Sequence, residues 1–213
     1  MEIARRAVEI LGVHNPDESR MRTEDWIFEQ RVMPHIDAVT KHMTRYAGVS
    51  DILNESRSLG DVYRRHGRHN QALEWYQRVL VGQEKALGVD HPSTLTAVHT
   101  MASVFDNQGQ YEKALEWYGR ALAGREEALG VDHPSTLTTV NNMALVFDRQ
   151  GQYEKALEWF GRALAGREKA LGVAHPFTQG TIRCLINLHN KTGRTEQARS
   201  LQTRLYVPNS PSK

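Results

Sequence analysis

LGVDHPSTLTAVHTMASVFDNQGQYEKALEWYGRALAGREEA, Leu87 to Ala128, is followed at once by a second copy, Leu129 to Ala170, that departs from it at seven of 42 positions. Near-identity at a fixed period means one helical or β unit stacked on itself, and it decides the architecture before any single residue does. Looser copies flank the pair. A mid-repeat glycine recurs at Gly67, Gly109, Gly151 and Gly193, which predicts four units, about 49–86, 87–128, 129–170 and 171–205, the outer two degenerate.

Each unit reads as two helices. Val98, Met101, Ala102 and Phe105 follow i, i+3, i+4, i+7 spacing and form one face of the first. Asp90-His91-Pro92 opens it: Asp or His is able to cap, and Pro suits the first turn, where its missing N–H is not needed. Asn107-Gln108-Gly109 closes it, with Gly available for a left-handed residue. Tyr111, Ala114, Leu115, Tyr118, Ala121 and Leu122 form the stripe of the second helix. One unit cannot bury such stripes alone, so the copies must stack.

Small residues at Ala102, Ala114 and Ala121 and aromatics at Phe105, Tyr111 and Tyr118 resemble the tetratricopeptide repeat pattern. That family's period is about 34 residues, so this repeat is longer by about two helical turns. The LGxDHP joints and the Asn141–Ala144 stretch resemble kinesin light chain repeats, and more closely the repeat tails of fungal NACHT and NB-ARC signalling NTPases. The resemblance spans about 47–205. It implies an all-α fold, a right-handed α-solenoid of stacked helix-turn-helix units, with protein binding in a concave groove lined by the first helices.

The rest of the chain fits a soluble interaction module. Hydrophobic residues make up 39% and charged residues 24% of the 213, and the net charge of +2 is too small to imply nucleic-acid or membrane binding. A single cysteine, Cys184, excludes an internal disulfide and suits a reducing, cytoplasmic setting. Residues 1–46 are expected to form an N-terminal helical cap or partial repeat, with a helix from Thr23 to about Tyr46 kinked or split at Pro34. Leu11-Gly12-Val13 and Pro16 echo a joint, which suggests a piece of a longer protein; residues 206–213 are expected to be a disordered tail.

The two close copies differ at Ala97/Thr139, His99/Asn141, Thr100/Asn142, Ser103/Leu145, Asn107/Arg149, Tyr118/Phe160 and Glu127/Lys169. Five of the seven fall within the eleven residues 97–107. Positions 99, 100, 103 and 107 share a 100° arc of the first helix, whereas the solvent-facing Glu112, Lys113, Glu116 and Arg120 of the second do not change. Drift should strike both helices alike, so the reading is a fixed scaffold whose groove has been varied for recognition.

Equivalent columns give a candidate ligand-binding groove. It comprises Asn54, Arg57, Asp61, Arg64 and Arg65; His99, Thr100, Ser103, Asp106 and Asn107; Asn141, Asn142, Leu145, Asp148 and Arg149; and Arg183, Asn187 and Lys191. Bases outnumber acids there by six to three, which points to a peptide or protein ligand with acidic residues. No catalytic, cofactor-binding or metal site is predicted. His91, His133 and His175 recur too far apart to share one ion and read as joint or cap residues, and Trp75, Trp117 and Trp159 as packing. No phosphate-binding loop or nucleophile elbow is present. The expected function is ligand sensing as the tail of a larger signalling NTPase. The alternatives are a kinesin-light-chain-type cargo or assembly adaptor and a self-assembling repeat array.

Overall fold

The predicted stripes all become helices. The computed structural model describes residues 53–205 together with Pro34, Asp37 and Ala38. Helix α1 spans Leu53–Arg65, α2 His69–Leu87, α3 Pro92–Asn107, α4 Tyr111–Leu129, α5 Pro134–Arg149, α6 Tyr153–Leu171, α7 Pro176–Lys191 and α8 Thr195–Leu205. No strand occurs among the described residues. The predicted tail 206–213 lies outside them, as does the predicted cap 1–46 with its helix from Thr23 to about Tyr46, except for Pro34, Asp37 and Ala38, which are helical.

The chain divides into two compact units, Met1–Ala86 and Leu87–Lys213. In the first, α1 packs on α2 through buried Leu59, Val62, Tyr63, Ala72, Trp75 and Tyr76. Contact is close because Gly60 lies under the Tyr76 ring: a Cβ there would fall 2.6 Å from Tyr76 Cε1. The Tyr76 hydroxyl donates to Asp61 at 2.6 Å, and Asp37 accepts from Tyr63 and Arg68 at 2.8 and 2.6 Å.

In the second unit the 42-residue period resolves into a 16-residue helix, a turn, a 19-residue helix and a joint. Of the two predicted capping candidates, the histidine is the cap. His91, His133 and His175 accept through Nδ1 from the backbone N–H of Ser93, Ser135 and Phe177, and Pro follows each in the first turn. The turn after α3 closes through Gly109, whose φ of 73° is left-handed, while Gln110 N–H returns to Phe105 O at 2.9 Å.

Packing inside a repeat depends on a missing side chain. Gly124 and Gly166 let α4 and α6 approach Leu95 and Leu137, which are 1% exposed; a Cβ would lie 2.5 and 2.4 Å from their Cδ2 atoms. Each leucine so buried stabilises by about 1.5–3 kcal/mol. Ala102, Ala114, Tyr118 and Leu122 share a core with Val140, Met143 and Val146 of the next repeat, so neighbours complete one another's interiors. Trp117 and Trp159 pack on the phenylalanine of their own repeat, with ring centroids 6.0 Å from Phe105 and Phe147. The last core cluster is closed by Ala198, Leu201 and Leu205 of α8, an 11-residue helix with one fully buried side chain.

Candidate functional site

The first helices of the second unit, α3, α5 and α7, run side by side and are tied by pairs 43 residues apart. Arg149 on α5 bonds Asp106 on α3. Lys191 on α7 bonds Asp148 on α5 at 2.9 Å. These four belong to the predicted groove, and the structure pairs them with one another. Two of the six basic groove residues are therefore taken up by two of its three acids.

Three more predicted groove positions turn toward the joints. His99 meets the buried guanidinium of Arg125: Nη1 lies 3.3 Å from His99 Nδ1 and donates to Ser135 O at 3.0 Å and Thr139 Oγ1 at 2.8 Å. On the other side of the ring, Nε2 is 3.2 Å from the Asn142 amide. Arg is a donor only, and a neutral imidazole has one acceptor nitrogen, so Nδ1 accepts and Nε2 carries the proton. Asn142, placed with Nδ2 toward this ring nitrogen, accepts its proton once the amide's nitrogen and oxygen are exchanged. Burial, and then the nearby Arg125 charge, lower the His99 pKa from 6.5 to about 3. The same joint recurs one repeat on. Arg167 Nη1 donates to Phe177 O at 3.0 Å, Thr181 Oγ1 at 2.6 Å and Asn141 Oδ1 at 3.3 Å. Asn141 thus stands where His99 stands, with an oxygen in place of the ring nitrogen, and is 9% exposed.

The remaining predicted residues are more accessible. Asn107, Arg183 and Asn187 are exposed. Thr100, Ser103 and Leu145 are half-buried; the two hydroxyls donate back to Thr96 O and Thr100 O. In the first unit Arg57 is exposed, Asp61 accepts from Tyr76 and lies 3.9 Å from Arg64 Nε, and Arg65 is half-buried. Asn54 lies on α1, its side chain outside the described residues. The set therefore separates into surface residues and joint residues.

Arg125 and Arg167, each 5% exposed, went unread in the sequence although a signal was there. Arg125 follows Ala121 by four and Tyr118 by seven, so it sits on the apolar stripe. Burial lowers the pKa of both arginines, and their neighbours are neutral acceptors rather than carboxylates. Cys184 occupies the column of Thr100 and Asn142. Its thiol is free and half-buried, with a pKa raised by burial and partly offset by Arg167.

Among the described residues no group of histidine, cysteine, aspartate or glutamate is placed to hold a metal ion, and no helix is long and apolar enough to cross a membrane. A crystallised Podosopora anserina protein of nearly identical TPR-like repeats, kinesin light chain-like in description, has a similar fold. Its TM-score is 0.68 at 22% identity, over 96% of this chain and 90% of that one. BtubC from P. vanneervenii matches at TM-score 0.68 and 18% identity, over 100% and 94%. A Rap protein complexed with competence and sporulation factor matches at TM-score 0.64 and 14% identity, over 84% and 49%. No curated protein sequence matches significantly. The tetratricopeptide repeat profile matches residues 50–127 and 97–169, which together exceed half the chain. The protein therefore belongs to the tetratricopeptide repeat family.

Proposed function

We propose that the chain is a protein-binding module that takes a peptide or protein ligand along the faces of its first helices, and that it acts by binding rather than by catalysis. One observation carries this reading. Cross-repeat pairs hold α3, α5 and α7 in fixed register, yet Thr100, Ser103, Asn107, Leu145, Arg183 and Asn187 stay wholly or partly accessible on them. Amides and hydroxyls of that kind match the alternating donors and acceptors of a peptide backbone. The acidic preference rests on Arg57 and Arg183, because Arg149 and Lys191 have carboxylate partners within the protein. The Rap neighbour, crystallised with competence and sporulation factor, supports ligand capture by this fold.

The biological setting we favour is the ligand-sensing tail of a larger cytoplasmic signalling NTPase. An adaptor role of the kinesin-light-chain kind is the second reading, favoured by the P. anserina neighbour. The test is peptide display on the wild type, Arg57→Glu and Arg183→Glu in parallel. Acidic peptides should enrich on the wild type and be depleted on each variant. Equal enrichment on all three removes the acidic preference, and enrichment on none, with a full-length partner also failing to bind, overturns the groove.

A further inference from the structure

We propose that the residues distinguishing the two near-identical repeats are matched across the joints, and that they act as addresses fixing which repeat stacks on which. The second and third repeats share 35 of 42 residues, including the stripes that bury Ala114, Ala121 and Leu122 in one and Ala156, Ala163 and Leu164 in the other. Apolar contacts therefore cannot tell the repeats apart. Repeat four would bury the same surface if it stacked directly on repeat two, and so would repeat three of a second copy if it stacked on repeat three. Only the differing positions are able to discriminate.

The structure places most of them at a joint. Thr139 accepts from Arg125. His99 lies between Arg125 and Asn142. The Tyr118 ring stands edge-on to His99 with centroids 5.0 Å apart. Arg149 bonds Asp106. His99, Tyr118 and Asn142 thus form one connected set joining repeats two and three. Between repeats three and four the same columns hold Asn141, Phe160 and Cys184. There the ring nitrogen is replaced by an amide oxygen, the phenol by a phenyl ring and the Asn142 amide by a thiol. The set is exchanged as a whole.

The mismatches follow from donor and acceptor counts. If repeat four stacked on repeat two, Arg125 would still find Thr181 and the carbonyl of residue 177. The His99 N–H would instead face the Cys184 thiol, a weak acceptor. If repeat three stacked on a copy of itself, Asn142 would meet Asn141 and Phe160, and lose its ring partner. A buried polar group without a partner is the recognised means by which a polar residue fixes register in an otherwise uniform apolar interface.

The test gives joint two–three the set of joint three–four. His99→Asn, Tyr118→Phe and Asn142→Cys are made in the full chain singly, in pairs and together, with Glu127→Lys, a differing position outside the set, as control. The singles should lower the unfolding midpoint, and the triple variant should recover most of the loss. The His99–Asn142 cycle should show coupling of about tenfold in the unfolding equilibrium constant, and cycles with Glu127→Lys should be additive. The decisive readout is refolding. The triple variant, with the same three residues at both joints, should give swapped dimers or a slow off-register phase that the wild type lacks, seen by light scattering and stopped-flow fluorescence. Additive cycles overturn the matching, and coupling with refolding as clean as wild type overturns the address. If a single variant does not fold, the reciprocal set Asn141→His, Phe160→Tyr and Cys184→Asn reads the same refolding outcome.

Discussion

Acidification from pH 7 to pH 5 will destabilise the protein through one ring, His99. Its pKa falls from 6.5 to about 3 on folding, chiefly because the ring is buried and then because Arg125 lies against it. A depressed folded-state value means that the proton prefers the unfolded chain. The stability tied to the neutral ring is therefore whole above pH 6.5 and is lost as pH falls from there toward 3. Each pH unit in that window costs about 1.4 kcal/mol, so by pH 5 the loss is about 2 kcal/mol. For a chain of this size that is a fall of roughly 4–8 °C in Tm. The clean experiment compares the wild type with His99→Asn, the residue that repeat three uses beside Arg167, by urea unfolding at pH 7, 6, 5 and 4. Groups that do not touch His99 cancel in the difference. The stability difference between the two proteins should move by about 1.4 kcal/mol per pH unit below 6, in favour of the variant. A flat difference would refute the buried neutral ring and the joint built on it.

Four further outcomes follow from packing, buried hydrogen bonds and caps. Gly124→Ala should destabilise by about 1–2 kcal/mol, because overpacking against Leu95 exceeds the gain of about 1 kcal/mol in helix propensity. Gly119→Ala on the same helix, where a Cβ meets nothing within 4 Å, should instead stabilise by about 0.5–1 kcal/mol; paired thermal melts decide both. Arg125→Ala should cost about 2–4 kcal/mol in chemical unfolding, since Ser135 O and Thr139 lose a buried donor. His133→Ala removes the N-cap of α5 and should cost about 1 kcal/mol, with amide exchange rising first at Ser135.

The helices and their ends were legible because period and punctuation are local properties. Val98, Met101 and Ala102 point inward because their spacing requires it, and Gly109 turns left-handed because the chain must reverse there. The face of a first helix was legible too. What that face does was less so, because two residues on one arc meet different neighbours. Asn107 reaches solvent, while His99 reaches a guanidinium brought from 26 residues away. Spacing along one helix cannot show a donor supplied by another helix. The number of basic residues misled for the same reason: Arg149 and Lys191 count as free charges along the chain and as ion-paired ones across it.

The division of labour between buried and exposed arginines bears on elasticity. The interior of each joint is held by a guanidinium on neutral acceptors, which dissolved salt does not reach. The edges are held by ion pairs near water: Arg149 with Asp106 and Lys191 with Asp148 along the first helices, Arg162 with Glu126 and Arg204 with Glu168 along the second. Such pairs are weak singly and screened within about 8 Å at physiological ionic strength. Raising the salt concentration thus loosens the edges while the interior holds. The second unit then bends more easily without unfolding, like a stack of plates pinned through the middle and laced at the rim.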